Sequence, residues 1–343
     1  MQASNIPRIE CCGDARTMGR QYGEQAREAI RVNNEVFGKS WDREHGDEYE
    51  RITRRLLKTR LPEVLEELDG IAEGSGVPAR DILMMNQMNT YGDICREECT
   101  PLAIRNSDAG PIIAKNNDGS AKMFYRYVIR ISRPKHGLPL VQVTYAGWLS
   151  GLDAMNAAGL GNTHGSVGSK FDKSGPRVDI RLWLYRMMRT CRTTQELVRG
   201  MMEGSLTGKG FSIVALDSGG HSAVIEAAVP AIAMRDFDKP FIYSTNLYMS
   251  EALKGMDARD PAGREIALRR YGYLNWVEQT CLPATLDDIK RLMSCHDAWA
   301  PCRHGGPNRS YTEWTVIGLP ARRKVMVSSG PSCSNPFIEV DVP

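Results

Sequence analysis

Apolar and polar positions divide the chain into stretches of different period. Between residues 14 and 90 apolar side chains recur at helical spacing, starting with Met18, Tyr22, Ala26 and Ile30 behind Asp14, which is suited to cap a helix. Residues 49–68 mix arginine and lysine with leucine as a solvated helix face does, and Pro62 breaks them because it lacks an amide hydrogen and clashes with the preceding turn. GSGVP (74–78) reads as a loop, and residues 81–89 as a further helical run. The texture then changes. TPLAI (100–104) and PIIAK (111–115) are short strand-like runs joined by the polar, glycine-containing stretch 105–110, which predicts a hairpin. Residues 124–132 and 138–146 continue as strands, and 177–202 holds two helices, the second capped at Thr193 or Thr194 with Glu196 nearby. GFSIVALD, HSAVIEAA and PFIYSTN return to strand pattern, while residues 263–278 and 286–293 are helical. EWTVIGL and RKVMVSS pair around a Pro-Ala-Arg turn. This order predicts an α+β architecture of layered helices and sheets.

The hairpin carries the chemistry. It brings the end of its second strand, Asn116-Asn117-Asp118, back beside the start of its first, where Cys99 stands. A thiol acts as a nucleophile when a base and an orienting polar group lie beside it. The orienting group is Asp118, and a base would exist if the Glu98–Cys99 bond were cut, because Cys99 would then carry an α-amino group of pKa about 7.7–8.0. Read singly, Cys99 is a buried structural thiol, Asp118 a hairpin cap and Asn246 a turn residue at a strand end.

Cys99-Thr100 opening one strand, with Asn116, Asn117 and Asp118 closing the next, resembles the isopenicillin N acyltransferase family of N-terminal nucleophile hydrolases, whose wider relatives include penicillin V acylase and choloylglycine hydrolase. MNAAGLGNTHG (155–165), YSTN (243–246) and ARRKVMVSSGPSC (321–333) agree in order with that family. The penicillin enzyme has a glycine before its cysteine, where this chain has Glu97-Glu98. The resemblance implies a four-layer αββα sandwich with a mostly helical segment, residues 1–98, separated by autocleavage at Glu98–Cys99 from a catalytic region, residues 99–343, the two forming one cooperative unit. It implies an amidohydrolase or acyltransferase that attacks a small amide or acyl-thioester through an acyl-Cys99 intermediate. Asp118 then orients the new amino terminus, and Asn246 helps to hold the oxyanion. Arg303, or else Arg309, is the late arginine of the site. Asn162, Thr163, His164 and Trp148, with Tyr145 beside it, line the substrate pocket. The competing reading is an unprocessed binding or scaffold protein with Cys99 in mid-chain.

Composition narrows the partners. Of 343 residues 42% are hydrophobic and 25% charged, and 44 basic against 41 acidic side chains leave a net charge of +3, which favours neither nucleic acid nor an anionic membrane. The expected partners are a small-molecule substrate and the chain's own cleaved segment; a homo-oligomer is compatible. No stretch of about 18 apolar residues occurs, and the start has no signal-peptide pattern. Nine irregularly spaced cysteines do not read as a disulfide framework, so a cytoplasmic location is expected. Cys295, His296, Cys302 and His304 invite zinc, but adjacent ligands strain a tetrahedral site. Neither metal nor cofactor is therefore expected, acyl-CoA entering only as a substrate.

Overall fold

The computed structural model describes residues 6–37, 46–87, 98–120, 126–171, 177–305 and 310–343. The N-terminal part holds β1 (Arg8–Gly13), α1 (Ala15–Gln25), α2 (Arg27–Phe37), α3 (Gly46–Arg60), α4 (Pro62–Ser75) and α5 (Ala79–Met85). Strands β2 (Thr100–Ile104), β3 (Ile112–Ser120), β4 (Tyr127–Pro134), β5 (Leu140–Tyr145), β6 (Ala154–Asn156) and β7 (Gly161–Ser166) follow. Next come β8 (Val178–Asp179), α6 (Ile180–Thr190), α7 (Thr194–Met202), β9 (Leu206–Thr207), β10 (Phe211–Leu216), β11 (Ser222–Ala228), β12 (Ala231–Arg235) and β13 (Phe241–Tyr243). The chain closes with α8 (Pro261–Thr280), α9 (Leu286–Ser294), β14 (Ser310–Leu319), β15 (Lys324–Ser329) and β16 (Phe337–Asp341).

Two large sheets stack face to face. One has the order β1-β4-β5-β6-β7-β10-β11-β12, the other β13-β2-β3-β14-β15-β16. Ile129, Val141, Val214 and Val224 of the first meet Ile113, Val316 and Val327 of the second in a core between them. Helices α1–α7 cover the outer face of the first sheet through Tyr22, Ile30, Leu68 and Leu184. Helices α8 and α9 cover the second through Leu274, Val277 and Ile289. The result is a four-layer αββα sandwich, as the sequence resemblance implies. TPLAI shows no alternation because both faces of β2 are covered: Ala103 faces the other sheet while Leu102 and Ile104 face the helices.

The local signals work as their chemistry requires. The Asp14 side chain accepts from the Thr17 amide and Thr193 from the Glu196 amide, capping α1 and α7. Pro62 separates α3 from α4 by opening the latter, where a missing amide hydrogen costs nothing. Strands β1, β12 and β16 carry no strong pattern, and the segment before Cys99 is therefore not purely helical: β1 lies parallel to β4 at the edge of the larger sheet. Residues 88–90 and 124–125, expected in a helix and a strand, lie outside the described residues.

Helices α1 and α4 touch backbone to backbone. A Cβ on Gly19 would lie 2.1 Å from the Glu67 carbonyl oxygen, and one on Gly74 2.1 Å from that of Arg20. This close approach places Glu67, fully buried, over β4 and α6, where it pairs with Arg130, accepts from Tyr185 Oη at 2.9 Å and meets Arg189 at 3.2 Å. A buried carboxylate held by two guanidinium groups and a phenol fixes the helical layer to the sheet.

Candidate active site

Register places Cys99. Thr100 pairs with Asn116 across β2 and β3, so Cys99 at the head of β2 faces Asn117. Its buried Sγ lies 3.7 Å from Asn117 Oδ1 and 3.8 Å from the Asp118 carbonyl oxygen, in reach for the thiol hydrogen. The orientation of the Asn117 amide follows from its other end, since Nδ2 donates to Glu313 Oε2 at 2.8 Å. Glu313 is the extra residue of a bulge in β14, between Thr312, opposite Asp118, and Trp314, opposite Asn117. Gly119 leaves room for it, because a Cβ there would lie 2.6 Å from the Glu313 carboxylate. Tyr145 Oη also donates to Glu313 Oε2, at 2.6 Å.

Asp118 is fully buried and half satisfied. Thr312 Oγ1 donates to Oδ1 at 2.6 Å, whereas Oδ2 has no hydrogen-bond partner among the described residues. Burial pushes its carboxyl up to about 6, against the opposing pull of Arg270, Thr312 and Arg303. The folded value lies above the ordinary 3.8, so the folded chain binds this proton more tightly than the unfolded one. Asp118 therefore favours folding below pH 4, and that contribution is lost as pH rises through 6. In an uncut Cys99→Ala background, urea melts between pH 4 and 7 should show a falling component of about 3 kcal/mol. Adding Asp118→Asn should flatten it; an unchanged slope would assign the titration elsewhere.

The residue that sequence reasoning missed is Arg270. It lies on the buried stripe of α8, in register with Ala267, Leu274 and Val277. Its Nη2 donates to the Cys99 carbonyl oxygen and to Thr100 Oγ1, and its Nη1 donates to Asn246 Oδ1 at 3.0 Å. Burial, reinforced by repulsion from Arg303, lowers its guanidinium to about 10. A charged residue on the apolar stripe of a predicted helix was the available signal. Asn246 is fully buried past the end of β13 and donates through Nδ2 to the Ser166 carbonyl oxygen at 2.7 Å. Arg270 thus ties Asn246 to Cys99.

Arg303 lies 3.4 Å from Glu98, Nε to Oε2. Its backbone amide donates to Thr312 Oγ1 at 3.0 Å, the same hydroxyl that serves Asp118. Among the described residues, Nε and Nη2 of Arg303 are buried without a hydrogen-bond partner. Arg309 and Glu97 lie outside the described residues.

A cavity opens next to Asn117 because the larger sheet is incomplete there. The three-residue β6 pairs only with residues 140–142 of β5 and 161–162 of β7, leaving the ends of those strands apart. Asn117, Tyr145, Trp148, His164, Arg181 and Trp314 line the opening. Trp148 packs edge-on to Tyr145, ring centroids 5.0 Å apart, and the Arg181 guanidinium lies 4.4 Å from its ring centroid. His164 Nδ1 lies 3.0 Å from Asp153 Oδ1 and 3.1 Å from Lys115 Nζ, and Lys115 Nζ lies 2.6 Å from Asp153 Oδ2. Burial alone would raise the Asp153 carboxyl, but His164 and Lys115 outweigh it and hold it below its ordinary range. Of the four expected pocket residues, Trp148 and His164 line the cavity. Asn162 does not, its Nδ2 donating to the Gly151 carbonyl oxygen at 2.8 Å, and Thr163 alternates to the other side of β7 from His164.

No protein-family model matches the chain, and no curated protein matches it. Solved structures do. A mutant conjugated bile acid hydrolase from Clostridium perfringens aligns at a TM-score of 0.46 and 12% identity, over 71% of this chain and 92% of that one. Penicillin V acylase from Agrobacterium tumefaciens aligns at 0.44 and 15% identity, over 71% and 86%. An N-acylethanolamine-hydrolyzing acid amidase ortholog from Caenorhabditis elegans aligns at 0.44 and 12% identity, over 65% and 93%. Among the described residues no helix is long and apolar enough to cross a membrane.

Proposed function

We propose that the chain is the precursor of an N-terminal-cysteine amidohydrolase or acyltransferase, activated by cleavage of its own Glu98–Cys99 bond. One observation carries this reading. Cutting that bond would create an ammonium on Cys99 and a carboxylate on Glu98, and two residues next to the bond each keep a buried polar atom with no hydrogen-bond partner among the described residues: Asp118, whose carbonyl oxygen lies 3.8 Å from Cys99 Sγ, at Oδ2, and Arg303, which pairs with the Glu98 side chain, at Nη2. Buried polar atoms are seldom left unsatisfied without a reason. The groups that cleavage would create are of the kind these two atoms lack as partners.

The chemistry follows in two stages. Cys99 Sγ attacks the Glu98 carbonyl carbon, the C–N bond breaks as nitrogen takes the thiol proton, and water hydrolyses the resulting thioester. The freed amine, oriented by Asp118, then serves as base for the same thiol. Cys99 attacks an amide or acyl-thioester, whose leaving group departs with the proton. Water or an amine then takes the acyl group from sulfur. Asn246 uses one amide hydrogen on Ser166, and its second hydrogen, with a backbone N–H, would hold the oxyanion. The cavity beside Asn117 would receive the acyl group against Trp148 and Tyr145.

Denaturing mass spectrometry is the test. The purified, incubated protein should give two fragments, residues 1–98 and 99–343, with Cys99 at the new amino terminus. A chain that stays at full length throughout would overturn the processing step.

A further inference from the structure

On the loop that carries Arg303 and beyond it, three stretches of chain bring four nitrogen and sulfur ligands together. Cys302 Sγ lies 3.7 Å from Cys333 Sγ and 3.5 Å from His304 Nε2. His304 Nε2 lies 3.2 Å from Cys333 Sγ and 3.1 Å from His296 Nε2. All four ligand atoms fall within 4.8 Å of one another. The geometry assigns a tetrahedral metal site to His296, Cys302, His304 and Cys333, with zinc as its cation.

Four of the six ligand–ligand spacings match the coordination, and the other two, from His296 to the sulfurs, fall within 4.8 Å. Zinc bonds of about 2.3 Å to sulfur and about 2.0–2.1 Å to nitrogen set tetrahedral edges of about 3.8 Å between sulfurs, about 3.6 Å between sulfur and nitrogen, and about 3.3 Å between nitrogens. The four distances above lie within about half an ångström of those edges. Two thiolates and two imidazoles suit a borderline-soft divalent ion and disfavour magnesium or calcium, which take oxygen ligands. Binding is charge-balanced: the two thiol protons leave as Zn²⁺ enters, giving a neutral Cys₂His₂ centre.

The strain expected of the sequence-adjacent set disappears because Cys295 is not a member. Its thiol faces Tyr273 Oη at 3.5 Å, and only its carbonyl oxygen reaches the loop, accepting from the Cys302 amide at 3.1 Å. Cys333, from beyond β15, takes the fourth place. Cys302 is buried while the other three are exposed, so the ion enters from solvent and closes onto the buried sulfur. The site also clamps Arg303, which stands between two of the ligands and contacts Glu98. The metal therefore fixes the loop whose Arg303 pairs with the Glu98 side chain.

The full chain, purified without chelator or added metal and dialysed against excess Zn²⁺, should retain one equivalent of zinc by elemental analysis. Co²⁺ in its place should give the intense visible absorption of a tetrahedral thiolate complex. Cys302→Ser and Cys333→Ser should each lose the equivalent, whereas Cys295→Ser keeps it. Should the serine variants not fold, zinc release from the wild-type chain on titrating its thiols with a mercurial decides the matter, with one equivalent expected to leave by the time all nine thiols have reacted. Absence of stoichiometric zinc in the wild type, retention by Cys302→Ser, or a Cys302–Cys333 disulfide in freshly reduced and desalted protein would each overturn the assignment.

Discussion

The Cys99→Ala chain should remain a single full-length polypeptide that turns over no amide or thioester. Both reactions proposed for the site begin with the same sulfur, so one substitution removes the nucleophile of each. Packing changes little. Sγ is one heavy atom whose polar neighbours, Asn117 Oδ1 at 3.7 Å and the Asp118 carbonyl oxygen at 3.8 Å, are held from elsewhere. The loss should be about 1 kcal/mol, in the range of removing one buried methyl-sized group. Intact mass, a turnover assay and circular dichroism on one preparation suffice. An alanine variant that still cuts itself, or still hydrolyses a substrate of the wild type, would move the chemistry to another residue.

Arg270→Met should cost about 3–5 kcal/mol, a large share of the stability of an ordinary domain. The substitution keeps the apolar stem but strips the donors from the Cys99 carbonyl oxygen, Thr100 Oγ1 and Asn246 Oδ1, all of them buried. It also removes the strongest cationic pull on Asp118, so that carboxyl should titrate above its already raised value of about 6. Arg270→Lys keeps the charge and should recover part of the loss, though one ammonium cannot reach in two directions as the guanidinium does. Urea melts of all three proteins give the measurement. A methionine variant as stable as wild type would show that the guanidinium is dispensable to the fold of the site.

Legibility in the sequence followed the range of the interaction. The juxtaposition of Cys99 with Asn117 and Asp118 was readable because one hairpin creates it, and hairpin register depends on a short loop and two apolar runs. Helix caps at Asp14 and Thr193, and the pair of strands around residues 320–322, were readable for the same reason. Arg270 was not, because its partners belong to β2 and to the chain after β13, and only tertiary packing of α8 brings them together. Cys333 escaped notice likewise: it lies 29 positions beyond His304 (333 − 304 = 29), and local spacing favoured Cys295, whose side chain turns the other way. Strands β1 and β12 pair at the edges of the larger sheet, where fewer neighbours constrain the pattern.

If the proposed cut at Glu98–Cys99 occurs, the parallel pairing of β1 with β4 makes the order of unfolding depend on it. In an uncut chain β1 is tethered to the rest, and unfolding is a one-molecule event. After cleavage β1 and the helices behind it belong to a separate polypeptide, still bound through Arg8–Gly13 in the sheet and through buried Glu67 against Arg130 and Arg189. Melting then releases two molecules, so the midpoint of the processed protein should rise with its concentration while that of the uncut variant should not. Refolding would need an encounter between two chains, which dilution slows without limit. On this proposal a single peptide bond would separate a protein that can refold in isolation from one that must find its other half.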